Sequence, residues 1–477
     1  MLLPGCQAFI AKPSTTDLVS AVSADWRLQR HSTWQPIALP HSAMLSPDAG
    51  DAQPNAAAAA MAARYGRFMV VLRWSRSRSD QRACVEASCL VPGGMPHASP
   101  IPDGALQHPA REPHLDAVRC LLMLAGLPFH AAYPFHTKYG WLVVSTSKSA
   151  ALTTMISFLH LFRMQGFFML AGYLAALTIS KRGTLPWVKS RLARLLPPFF
   201  TALVILVPLM NLFSAYASPL NSDPIISWMQ SIVHVGRQTT GHLWFVLVLI
   251  YYNVALAILC WAFPSLRTYH VAISEQTAGR MFLPLLLACA VAISAWQRGA
   301  MAAVYHLPQV AIHPGGLGYA VEYAPYFALG LLLQRCRSVY HRFNRFSWSV
   351  ALIGVGTAIF CLTRDQHIPR LIEHTLTALA ALGIVHVIVA TAARVFDAER
   401  KWVKEVVRAS FVIYLFHMPV IAGAFLLVDH LAVSVLVRFL LLLTAAAGGS
   451  TLAWLVIKKV PALLFAFSGE TSKLTRA

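Results

Sequence analysis

Arg119 and His130 stand eleven positions apart in the apolar stretch LDAVRCLLMLAGLPFHAA. On an α-helix, at ~100° per residue, that spacing is just over three turns. Both side chains therefore fall on one stripe, roughly 16 Å apart along the axis. A guanidinium and an imidazole in a lipid-compatible helix are costly unless they face a protein-lined cavity, so both are candidate functional groups. A neutral imidazole can take a proton from a hydroxyl during acyl transfer, which makes His130 a candidate general base. The bland alternative is a histidine that packs against a neighbouring helix. Pro128 predicts a perturbed helix just there. Asp116 can pair with Arg119 three residues on, either orienting a cavity lip or anchoring the helix end.

Further polar groups interrupt the later apolar runs. Glu322, in YAVEYAPYF, is the one acidic residue well inside such a run. That makes a role in function the default expectation, with a buried ion pair to Arg163 or Arg438 as the structural alternative. Ser410, Tyr414 and His417 follow at spacings of four and three and share one stripe. They suit either substrate contact or an interhelical hydrogen-bond network. Arg191 and Arg194, in RLARLLPP, offer two guanidinium groups at (i, i+3), which suits a polyphosphate anion. Binding of anionic lipid headgroups is the plainer reading of that pair. His386 and Arg438 also lie in apolar runs, with no specific role.

The elements that must position these groups follow from composition. The chain has 477 residues, 57% hydrophobic and 12% charged. A soluble domain carries about twice that charge fraction. From about residue 114 onward, apolar stretches follow one another with short polar breaks, each long enough to cross a ~30 Å hydrocarbon core. The runs are continuously apolar and do not alternate, which argues against a β-barrel. The expected fold is all-α, a polytopic bundle of about ten membrane helices. They are expected at 115–133, 153–179, 195–215, 242–263, 281–297, 317–334, 347–363, 371–393, 409–428 and 431–457. Segments 182–194 and 394–408 are basic and amphipathic and predict interfacial helices or loops.

Charge fixes the expected orientation. Of the net +20, residues 1–110 hold only +2, from nine basic and seven acidic residues. The remainder lies between and after the hydrophobic runs, which argues against nucleic acid as a partner. Lys and Arg number twenty in the even-numbered breaks plus the C-terminal tail, against six in the odd-numbered breaks. The positive-inside rule then predicts that both termini are cytoplasmic. It also puts His130, His242, Trp244 and Glu322 in the outer half, Arg163 and His417 near mid-depth, and Arg119, Arg191 and Arg194 in the inner half. Polar groups at all three depths suggest a path across the membrane.

Residues 1–110 lack periodicity, a membrane span and a signal-peptide pattern, and read as disordered. A mis-assigned upstream start is an equal reading, with Met95 as a natural beginning. A membrane domain over 111–460 and a short cytoplasmic tail over 461–477 complete the expected organisation. The eight cysteines form no CxxC, so neither a metal site nor a disulfide framework is implied.

Together these residues resemble the membrane acyltransferase-3 family. REPHLDAVRCLLMLAGLPFH resembles its opening helix, with the Arg-ten-residues-His motif met by Arg119 and His130. HLFRMQGFFMLAGY resembles its second-helix motif, with Arg163. GHLWFVLVLIYYN, with His242 and Trp244, and SFVIYLFHMPV, with Ser410, Tyr414 and His417, resemble two later motifs. RMQGFFMLAGY and HLWFVLVL are particularly similar to the branch that attaches succinyl groups to periplasmic glucans. The resemblance covers about residues 111–457. It implies an acyl-CoA donor, succinyl-CoA for this branch, used from the cytoplasm, with no bound cofactor. It implies a glucan or other carbohydrate acceptor outside, a multi-pass location in a bacterial inner membrane among lipid, and the glucan-synthesis machinery as a partner. Arg191 and Arg194 would then hold CoA phosphates, with His130 as base and Arg119 positioning either the thioester or the acyl carboxylate. Transfer is either direct or through an acyl-His130 intermediate. The competing class is a transporter of an anionic or sugar substrate, and a non-catalytic scaffold is a third.

Overall fold

The computed structural model describes residues 112–470, apart from 139, 141, 219–222, 234–238, 305, 309–314, 365–367, 397 and 399. The expectations for residues 1–110 and 471–477 lie outside the described residues. The described residues are helical and include no strand.

The first span is α1 (Pro113–Leu124) and α2 (Gly126–Ala132), continued by a 3-10 turn at Tyr133–Phe135. The sequence predicts one helix over 115–133, and the structure interrupts it at Ala125. Pro128 explains the break. It has no N–H to give to the Leu124 carbonyl, and its ring crowds that carbonyl.

The second span, α3 (Ala150–Arg182), starts at Ser149, whose side chain accepts from Leu152 N at 3.3 Å. It ends at Gly183, which has φ 79°. The third joins α4 (Thr184–Thr201) through a π turn at Ala202–Leu206 to α5 (Val207–Ala217). Its first turns are the basic segment 182–194. That segment is the beginning of a membrane-length helix rather than a separate interfacial element. The short α6 (Pro224–Val233) precedes α7 (Trp244–Ala262).

Next come α8 (Glu275–Val304), α9 (Leu317–Arg335), α10 (Arg337–Phe343), α11 (Trp348–Thr363) and α12 (Arg370–Val395). The last are α13 (Lys401–Val428), α14 (Val435–Ile457) and α15 (Pro461–Ser468). All ten expected apolar segments are helical. Eight helices among the described residues are long and apolar enough to span, or nine if the bent pair α10 and α11 is one span. Helix α9 falls short of that test because its tyrosines, Glu322 and Pro325 dilute its apolar face. The second half of 394–408 is the first two turns of α13, and much of the expected tail is the helix α15.

Helix α3 is the most enclosed span and packs against α9, α12 and α1. Small residues let the backbones approach. A Cβ on Gly172 would overlap the Phe327 carbonyl, and one on Gly330 would overlap that of Met169. Gly354 and Gly383 bring α11 and α12 together in the same way, a Cβ on Gly354 falling 2.7 Å from the Gly383 Cα. Such close crossings replace the hydrophobic drive that lipid cannot supply.

The five basic breaks gather at one end of the bundle. Arg267 lies beside Gly183, 3.7 Å from where its Cβ would be. Tyr340 donates to Glu112, which also accepts from Tyr173 at 2.9 Å. Burial raises the Glu112 carboxyl above its ordinary pKa. Arg408 pairs with Glu470 at 2.8 Å, and Gly469 abuts the Arg194 backbone. At the opposite end, Asp429 takes Ser145 Oγ at 2.5 Å and Arg438 at 3.4 Å, tying the loop before α3 to the turn before α14.

Candidate active site

The break in the first span opens room for a cation from the second. Gly126 has no side chain, and a Cβ there would lie 2.7 Å from Arg163 Nη1. The guanidinium carbon sits 4.4 Å above the Phe129 ring. Arg163 is 9% exposed, and its Nε has no hydrogen-bond partner among the described residues.

His130, one residue past Phe129, meets the ninth expected helix. Its ring centroid is 5.1 Å from that of His417 on α13. His417 is in turn 5.9 Å from His242, which lies on the 3-10 turn Gly241–Leu243 that opens α7. Tyr414 closes the group at 5.6 Å from His242 and 5.8 Å from His417. Backbone bonds hold it. Tyr414 Oη donates to the His242 carbonyl, and His242 Nε2 bonds the Leu415 carbonyl at 3.1 Å. His417 Nδ1 bonds the Tyr414 carbonyl at 2.5 Å. Three histidines from three distant segments thus meet a buried arginine.

An aromatic wall borders the cluster. Trp244 stacks on Tyr319 at 4.1 Å and on Tyr323 at 5.8 Å, and Phe168 stacks on Tyr323 at 5.0 Å. Glu322 neighbours Tyr323 on α9. No hydrogen bond or ion pair joins its carboxyl to the histidines or to Arg163 among the described residues. Its main-chain carbonyl accepts from Gln297 at 3.5 Å. The expected alternative partner, Arg438, pairs with Asp429 instead.

Asp116 and Arg119 form their (i, i+3) pair at 3.4 Å. Arg119 lies at the basic end, within electrostatic range of Arg191, as do Arg182 and Arg194. Arg191 Nη2 donates to Thr178 Oγ1 at 3.0 Å, and Trp187 Nε1 donates to the same oxygen at 2.8 Å. Ser410 shares a stripe with Tyr414 and His417 but stays out of the cluster. Its hydroxyl bonds back to the Val407 carbonyl at 2.9 Å and faces Cys120. His386 is a packing histidine, accepting from Ser347 N at 3.3 Å between Phe282 and Phe343.

Sequence reasoning passed over Gly126, Phe129 and His160. The His160 ring lies 6.1 Å from that of Phe129, one turn before Arg163. Its (i, i+3) spacing to Arg163 was the available signal. No group of three or more His, Cys, Asp or Glu side chains that could hold a metal occurs among the described residues.

The described residues thus form a multi-pass bundle with a histidine and arginine centre near one end and an arginine cluster at the other. The family model described as an acyltransferase domain matches residues 112–457, and the chain belongs to this acyltransferase-3 family. It is a membrane acyltransferase, and the transporter and scaffold alternatives give way to that membership. Glucans biosynthesis protein C of Salmonella heidelberg (strain SL476) is 28% identical over 374 residues, covering 76% of this chain and 95% of that protein. The protein of the same name from Salmonella gallinarum (strain 287/91 / NCTC 13346) is 29% identical over 378 residues, with the same coverage of each chain. No solved structure matches the chain.

Proposed function

We propose that this enzyme moves a succinyl group from succinyl-CoA onto a hydroxyl of a periplasmic glucan, in the inner membrane of a bacterium with both termini cytoplasmic. The observation that carries the reading is the separation of two polar centres along one bundle. Arg119, Arg191 and Arg194 gather at the basic end, and His130, His242, His417 and Arg163 gather beyond the break at Ala125.

Arg191 and Arg194 bind the phosphates of the donor, and Asp116 holds Arg119 for the thioester arm. His130 accepts the proton of the acceptor hydroxyl as its oxygen attacks the thioester carbon. The C–O bond forms, the C–S bond breaks, and the proton passes to the leaving thiolate. Arg163, buried beside His130, is placed to meet negative charge developing on the carbonyl oxygen. Tyr414 supports His242, and Trp244 offers a stacking face to a sugar ring. Glu322 stands at the edge of that aromatic wall. Membrane lipid surrounds the bundle, and the machinery that makes the glucan supplies the acceptor.

The test is purified enzyme in detergent with succinyl-CoA and periplasmic glucan. Glucan that gains the mass of succinyl groups, with release of free CoA thiol, supports the reading. Unmodified glucan beside full retention of succinyl-CoA overturns it.

A further inference from the structure

His417 carries a feature that the transfer chemistry above does not use. Its Nδ1 lies 2.5 Å from the Tyr414 carbonyl. A carbonyl oxygen only accepts, so in the neutral ring Nδ1 bears the proton and Nε2 bears a bare lone pair. The residue is 1% exposed, and Nε2 has no hydrogen-bond partner among the described residues. A buried acceptor without a partner costs free energy, and such groups in folded proteins call for a functional explanation. The His130 ring is a near neighbour at 5.1 Å.

The surroundings say what that lone pair is for. A base that takes a hydroxyl proton becomes an imidazolium. Among the described residues, His130 lies within electrostatic range of His417, Arg163 and His242, with His160 by the adjacent Phe129 and Tyr414 beside His242 and His417. None is a carboxylate, and Arg163 is a cation. An acyl-transfer triad meets this need with an aspartate that orients the histidine and stabilises its charged form.

We propose that His417 is the positioning residue of His130, its Nε2 accepting the ring N–H of His130 in the step that protonates it. The proton count balances. The acceptor hydroxyl gives its proton to one ring nitrogen of His130, the other nitrogen keeps its proton in the bond to His417 Nε2, and the gained proton leaves on the CoA thiol. His417 changes neither charge nor tautomer. This rests on the acyl-transfer reading of the site.

Two substitutions separate positioning from a purely structural staple. In His417→Asn the amide NH2 reaches the Tyr414 carbonyl but nothing stands at the Nε2 position. In His417→Gln the amide oxygen reaches toward the Nε2 position and the Nδ1 bond is lost. Positioning predicts that His417→Asn loses about a hundredfold in turnover, within the range of a general-base contribution. It predicts that His417→Gln keeps most of the activity and that KM for succinyl-CoA is unchanged in both. The acid limb of the kcat/KM profile also moves to lower pH in His417→Asn, since His130 loses the bond that favours its protonated form. A structural staple predicts the reverse order of the two variants and an unmoved profile.

Both variants are measured in detergent beside the wild type, with size-exclusion profiles to confirm folding. Nitrogen-15 spectra of histidine-labelled wild-type protein report the tautomer directly. A His417 ring protonated at Nε2, or an active His417→Asn variant, overturns the positioning role while leaving acyl transfer in place. A wild type that modifies no glucan overturns the functional reading, and the positioning role with it.

Discussion

The guanidinium of Arg163 occupies the space that a side chain at Gly126 would need. A Cβ at 126 would lie 2.7 Å from Nη1, closer than unbonded atoms sit. The contact explains why two departures from an ideal membrane helix occur together. Pro128 breaks the span, and a glycine beside the break lets a charged side chain from the next helix enter it.

Gly126→Ala should therefore act on the site more than on the fold. The contacting atom is the far end of a flexible side chain, so the backbone can stay where it is. Arg163 must shift, and a misplacement of about 1 Å can cost on the order of a hundredfold in rate. The expected outcome is a loss of at least tenfold in kcat with a melting temperature near wild type. Wild-type turnover would separate Arg163 from the chemistry.

The crossing of α3 and α9 behaves differently. At Gly172 and Gly330 an added Cβ meets main-chain carbonyls, which cannot swing away. Gly172→Val should force the helices apart and cost about 1–3 kcal/mol or more, as overpacking does. Thermal unfolding in detergent should show a clear drop in midpoint, larger than for Gly126→Ala. An equal drop for the two would mean that the close crossing carries no special share of stability.

At the basic end, Arg191 is held by Thr178 and backed by Trp187. Thr178→Val removes the oxygen that fixes the guanidinium while keeping its charge. The apparent KM for succinyl-CoA should rise several-fold with kcat little changed, the pattern of lost uniform binding. Arg191→Ala with Arg194→Ala should raise it further. Donor affinity that is insensitive to all three changes, measured without anionic lipid, would leave lipid anchoring as the role of the pair.

Much of this architecture was legible in the chain. Long hydrophobic runs mark helices whatever their neighbours are, so all ten segments are helical, though only eight or nine spans among the described residues are long and apolar enough to cross. The Asp116–Arg119 pair is local and followed from spacing alone. The alternation of basic breaks agrees with the way Gly183, Arg267, Tyr340, Glu112, Arg194 and Gly469 meet at one end. The histidine cluster was legible only as parts. His130, His242 and His417 come from segments more than a hundred residues apart, and periodicity carries no information about which helices are neighbours. Ser410 shows the same limit from the other side. It keeps the stripe of Tyr414 and His417, but two turns along the helix its neighbour is Cys120 rather than a histidine. Glycines whose value lies in a missing Cβ leave no signal until the partner backbone is known.

The loop that follows the first span offers a test outside the membrane. His136 is 5% exposed, and its Nδ1 accepts from Lys138 N at 3.0 Å. Burial, reinforced by Lys148 and Lys138, holds its pKa below the ordinary 6.5. A depressed histidine is neutral in the folded loop and takes up its proton more readily when the loop opens. Its contribution to stability is full above the unfolded value and is lost as pH falls from about 6.5 through the lower folded value. Protonation also puts a hydrogen on Nδ1 and removes the acceptor of Lys138 N. Amide exchange at Lys138 should therefore accelerate, relative to the intrinsic rate, as pH is lowered from the unfolded value of about 6.5 through the depressed folded value. The neighbouring tie of Ser145 to Asp429 does not involve His136, so exchange within α3 should hold over the same range. In His136→Gln, whose side chain does not titrate, the pH dependence at Lys138 should vanish. If it persists in that variant, another group governs the opening of this loop.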